Sequence, residues 1–151
     1  MANYELEPNN SIPSATSISS GTSITGQLSS ASDRDYYVIN ASGAGSIEVD
    51  LDSSSYSAQH TVTILDANGQ ELSSINSYGD ESFGAGIASA GQYYVLVEDY
   101  DSGWGASYDS DSYELDIQFS SSQYELESNN SISSATSISS GTSITGQLSS
   151  A

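Results

Sequence analysis

The sequence predicts an all-β chain folded as an antiparallel β-sandwich. Three observations carry that expectation. Short segments alternate apolar and polar residues with a period of two, as half-buried strands do. Turn signals rich in Gly and Asn separate those segments. No stretch places apolar residues at helical spacing, so strands follow one another without helices between them.

From the N-terminus, the Ser-rich stretch 14–23 could be a low-complexity linker, but Ile12, Ala15, Ile18 and Ile24 provide regularly spaced apolar anchors that predict partial order. Residues 22–28 (TSITGQL) read as an opening strand, and 35–40 (DYYVIN) as the next. Ser42-Gly43-Ala44-Gly45 marks a turn before 46–51 (SIEVDL), where Ile47, Val49 and Leu51 face inward. Residues 61–66 (TVTILD) end at an Ala67-Asn68-Gly69 turn. Gly84-Ala85-Gly86 and Ala90-Gly91 read as further turns ahead of 93–98 (YYVLVE). In the last strand, 113–119, Tyr113, Leu115, Ile117 and Phe119 share one face while Glu114, Asp116 and Gln118 share the wet one.

Composition narrows the function classes. Twenty acidic residues face one basic residue, Arg34, for a formal charge of −19. Such a chain repels nucleic acid and anionic membranes, and it favours a divalent cation bound through hard oxygen ligands, calcium first. The absence of cysteine removes disulfides and thiolate metal sites. No apolar run reaches the roughly 20 residues that span a bilayer. No basic-then-apolar leader opens the chain, so an export signal is expected to lie outside this piece.

The organisation is repetitive. Residues 4–31 and 124–151 are identical except for Pro8/Ser128 and Pro13/Ser133. An offset of 120 residues exceeds the about 20 to 50 of solenoid repeats and marks a tandem array of whole domains. The expected division is a short leader at 1–3, one complete repeat at 4–123, and the truncated start of the next at 124–151. Because the two openings are identical, 124–151 could be ordered, disordered or swapped into a neighbour.

Five segments in order, Glu5-Leu6-Glu7-Pro8-Asn9-Asn10, Ala15-Thr16-Ser17-Ile18, Gly21-Thr22-Ser23-Ile24-Thr25-Gly26, Asp33-Arg34-Asp35-Tyr36-Tyr37 and Ala90-Gly91-Gln92-Tyr93-Tyr94-Val95-Leu96-Val97, resemble the bacterial pre-peptidase C-terminal (PPC) domain family. The resemblance runs from Glu5 to Phe119 and implies a jelly-roll-like sandwich without catalytic activity, of the kind appended to secreted proteases. Near-identical tandem copies depart from that setting and are similar to the extender region of a repeats-in-toxin type adhesin.

Candidate chemistry concentrates in acidic segments. Glu5, Glu7, Asn9 and Asn10 can turn several oxygens toward one point if the chain bends at Pro8, and calcium takes about six to eight oxygens. The alternative is a solvated acidic opening with Asn9-Asn10 as a turn signal. The resemblance implies that Asp33 and Asp35 join the first set, giving a calcium-braced N-terminal linker. A second acidic set, Asp99, Asp101, Asp109 and Asp111, lies in the loop 98–111. Its alternating Asp and Ser suit calcium but lack the EF-hand spacing, and a bland acidic hairpin fits equally. A third set, Glu125, Glu127, Asn129 and Asn130, repeats the first.

In the same loop, Trp104, Tyr100 and Tyr108 could form an aromatic platform for a glycan or protein. His60, the one histidine, has no nucleophile motif beside it and is expected at the surface or in a loop. No carboxylate pair is marked as buried and differently tuned, so no enzyme is expected.

The expectation is therefore a non-catalytic spacer on the bacterial surface or outside the cell. In it, neighbouring repeats are the main partners and calcium stiffens each junction. The alternatives are a carbohydrate- or protein-binding module and an accessory domain of a secreted protease.

Overall fold

The computed structural model describes residues 3–53, 59–100 and 112–148. Nine strands form two sheets among these residues. They are β1 (Thr16–Ser17), β2 (Thr22–Gly26), β3 (Arg34–Ala41), β4 (Gly45–Ser53), β5 (His60–Leu65), β6 (Glu71–Ser77), β7 (Glu81–Ile87), β8 (Gly91–Asp99) and β9 (Tyr113–Ser120). One sheet has the order β1-β3-β8-β5-β6, the other β2-β9-β4-β7. All pairs are antiparallel except the short β1 against β3. The antiparallel sandwich predicted from alternation is the observed fold.

Alternation decides the core. Ile47, Val49 and Leu51 of β4 and Tyr113, Leu115 and Ile117 of β9 point inward to meet Tyr37 and Ile39 of β3, Val62 and Ile64 of β5, and Val95 and Val97 of β8. All of these are at most 3% exposed, so the core is sealed between the sheets. Phe119 packs at its edge. The Asn68-Gly69 turn forms as predicted: Asp66 Oδ1 accepts from the Asn68 and Gln70 amides, both at 2.8 Å, and Gly69 takes a φ of 78°.

The opening Ser-rich segment is ordered by its apolar anchors. Ile18 and Ile24 enter the core, while Ile12 and Ala15 pack on Leu65, Tyr94 and Leu96 on the outer face of the five-stranded sheet. This strap carries Glu5 to Asn10 across the end of β3, where the Tyr36 amide donates to the Asn9 carbonyl at 3.1 Å.

Two expectations are corrected, and one strand escaped the sequence reading. Gly84-Ala85-Gly86 is not a turn but the middle of β7, an edge strand whose sparse side chains hide its alternation. Residues 71–77 form β6, where the alternation is too polar to read. His60 is 1% exposed inside β5 and meets the Tyr113 ring edge-on at 5.5 Å; a polar residue at the first inward position of a strand looks like a loop residue in sequence.

Candidate metal centre

At one end of the sandwich the strap returns acidic side chains to the core. Glu5, Glu7 and Asp35 each turn an oxygen to a common point, the three atoms lying within 4.8 Å of one another. Asp35 comes from β3 and is fully buried, because its alternation partners Tyr37 and Ile39 are core residues. Asn9 ties the strap together: its amide N–H donates to Glu7 Oε2 at 2.9 Å, and its side-chain Nδ2 donates to Glu5 Oε2 at 3.1 Å. Glu5 Oε1 accepts from the Gln27 amide at 2.6 Å. Thr16, in β1, clamps the strap backbone, its hydroxyl accepting from the Leu6 amide at 3.2 Å and donating to the Leu6 carbonyl at 3.3 Å.

Beneath the carboxylates lie two phenols that composition did not single out. Tyr113 Oη is 2.5 Å from Asp35 Oδ2 and 2.7 Å from Tyr37 Oη, which is 2.7 Å from Glu5 Oε2. Gly26 of β2 makes room for them, since a Cβ there would lie 2.4 Å from Tyr37 Oη and 2.5 Å from Tyr113 Oη. Three contacts thus join four oxygens, yet each phenol supplies only one proton. Asp35 is the buried carboxyl of the cluster. Burial pushes its carboxyl up to about 8, with repulsion from Glu5, Asp33 and Glu7 adding to the shift and the Tyr113 hydrogen bond opposing it. Tyr113 donates to Asp35 Oδ2 and Tyr37 to Glu5 Oε2, while the two phenol oxygens meet at 2.7 Å. Burial also holds both phenols above their ordinary range.

The donor set fits a hard divalent cation. Oxygens around one calcium, each at about 2.3–2.6 Å from it, stand up to about 5 Å apart, the spread found for Glu5, Glu7 and Asp35. Asn9 Oδ1 and Asp35 Oδ1 are buried without a hydrogen-bond partner, and a cation satisfies such oxygens. Unlike a pair of catalytic carboxylates open to substrate, the tuned member, Asp35, has no exposed surface.

The remaining predicted residues divide. Asp33 does not turn to the same point: its Oδ2 accepts from the Ser29 amide at 2.6 Å and its Oδ1 from the Arg34 amide at 3.0 Å. Although burial opposes it, these bonds hold Asp33 below its ordinary range. Asn10 supports Asp33, its side-chain nitrogen donating to Asp33 Oδ1 at 2.9 Å and to the Arg34 carbonyl at 3.1 Å. Asp99 ends β8 opposite His60, lining a shallow cleft with Asp33, Arg34 and Glu98. Tyr100 meets the exposed Tyr78 edge-on at 5.8 Å. Asp101, Trp104, Tyr108, Asp109 and Asp111 lie outside the described residues.

In the second copy, Asn129 bonds Glu125 and Glu127 as Asn9 bonds Glu5 and Glu7, at 2.9 and 3.1 Å, but among the described residues no third carboxylate joins them. Asn130 is exposed.

No family model matches the sequence, and no curated protein matches it. Among solved structures, the pre-peptidase C-terminal domain of the collagenase from Bacillus anthracis superposes with a TM-score of 0.51 at 24% identity, over 69% of this chain and 94% of that domain. The fold is PPC-like. The periplasmic g-type lysozyme inhibitor PliG of Aeromonas hydrophila (TM-score 0.48, 12% identity, 69% of this chain and 97% of that one) and the Yersinia pseudotuberculosis-derived mitogen (0.46, 15%, 70% and 91%) lie farther off and add nothing to the fold assignment. Among the described residues no helix is long and apolar enough to cross a membrane.

Proposed function

We propose that this chain is a non-catalytic extender repeat of the PPC family, from a large surface or secreted bacterial adhesin, with calcium held by Glu5, Glu7, Asn9 and Asp35 bracing the strap at each junction. One observation carries the reading. Residues 124–148 reproduce the bonds of 4–28, including the Tyr124–Thr145 bridge for Tyr4–Thr25 and the Leu126–Thr136 clamp for Leu6–Thr16, without a sandwich of their own. Ile138 and Leu148 are 60% and 100% exposed where their counterparts Ile18 and Leu28 are 6% and 1% exposed. That match supports reading the segment as the opening of another repeat.

The test is calcium calorimetry on this chain, followed by the spread of inter-repeat angles in multi-repeat chains with and without chelator. The expected result is binding that is lost in Glu5→Ala/Glu7→Ala, and a wider angular spread in chelator. Equal stiffness in both conditions would sink the extender reading. A second reading, a glycan- or protein-binding module, draws support from the edge-on contact of exposed Tyr78 with Tyr100, which directly precedes 101–111 in sequence. Ligand binding that disappears in Trp104→Ala would favour it.

A further inference from the structure

We infer that the free edge of β7 is a built seat for the opening segment of the following repeat, so that adjacent repeats lock by direct contact before any metal binds. The inference deepens the extender reading and rests on it. β7 ends its sheet, and an unprotected edge strand invites pairing with another chain. Here the second copy covers it. Gln147 Oε1 accepts from the Gly84 amide at 3.2 Å, and the Tyr124 hydroxyl reaches the same oxygen at 3.4 Å.

Glycine inside a strand marks close approach of another backbone, and Gly86 does so. A Cβ on Gly86 would lie 2.0 Å from the Glu125 carbonyl oxygen, whereas one on Gly84 would meet the Ile47 carbonyl of its own sheet at 3.1 Å and rest in ordinary contact with the Tyr124 ring at 3.4 Å. Leu126 closes the contact, sharing a cleft with Gly45, Ile87 and Ala88.

The first copy presents the same residues unpartnered. Tyr4 and Leu6 are 68% and 75% exposed, whereas Leu126 is 39% exposed and Tyr124 half-buried. The occupant assigned to the Tyr4–Leu6 surface is therefore a second copy of the repeat, preceding this one and offering its own β7 edge. Identical residues then have opposite importance within this chain.

Hydrogen exchange of the full chain in chelator tests this. Tyr124→Ser/Leu126→Ser, and separately Gly86→Leu, should make the Gly84 amide and the backbone of 124–147 exchange about tenfold faster or more, with β4 and β9 unchanged. Tyr4→Ser/Leu6→Ser should leave Gly84 exchange as it is. Rapid exchange of Gly84 and 124–147 in the unaltered chain, or an equal effect of the two Tyr/Leu pairs, would overturn the seat. Because chelator is present throughout, that failure is distinct from a failure of the calcium site, which calorimetry reads separately.

Discussion

At the scale of single residues, the chemistry turns on Asp35 and the proton that its burial favours. In chelator the folded chain keeps that proton up to about pH 8, whereas the unfolded chain releases it near the ordinary value of 3.8. Between those values the folded state binds more protons, so stability should fall as pH rises. Asp33, held below its ordinary value, has the opposite sign, and its contribution is lost only at more acidic pH. Calcium requires ionised carboxylates, so in its presence the slope should reverse. Thermal melts from about pH 5 to about pH 8, with and without calcium, check this. A falling melting temperature in chelator that flattens in Asp35→Asn is the expected result. A melting temperature that rises with pH in chelator would contradict the proton assignment.

At the scale of elements, the outer face of the four-stranded sheet carries an electrostatic burden. Register places Asp50 of β4 opposite Asp116 of β9, and Asp52 opposite Glu114. Like charges directly opposed across strands destabilise a sheet, and no lysine exists to relieve them. Asp116→Lys should therefore stabilise the domain by about 0.5–1 kcal/mol. Urea unfolding in chelator measures it, and unchanged or lowered stability would show that this face is already well screened. The same face explains why β9 was easy to read: polar Glu114, Asp116 and Gln118 alternate with buried Tyr113, Leu115 and Ile117. β7 was not, because glycine has no side chain to declare a face, and its role became visible only with the segment lying against it.

At the scale of the whole molecule, a charge of −19 with one ion pair among the described residues, Arg34 Nε to Glu98 Oε2 at 3.1 Å, means that repulsion is nearly uncompensated. Sodium chloride should raise the melting temperature in chelator by screening. Calcium should raise it further at matched ionic strength, because a bound ion also satisfies buried oxygens. Scanning calorimetry at equal ionic strength distinguishes the two. Identical melting temperatures would reduce calcium to a screening ion and remove the brace from the junction.

The sequence by itself determined the sandwich, the internal identity of 4–31 with 124–151 and the acidic strap. Alternation, turn residues and internal identity are local properties that need no partner to be read. Tertiary structure decided the site. Only the register of β3 beside the strap turns Asp35, and not Asp33, toward Glu5 and Glu7, and only the packing of β3 against β9 across the core brings Tyr37 and Tyr113 together beneath them. Residues 76 positions apart cannot announce a hydrogen bond in one dimension. Burial does so, because removing water from Asp35 makes its charge costly and its neighbours' hydroxyls decisive.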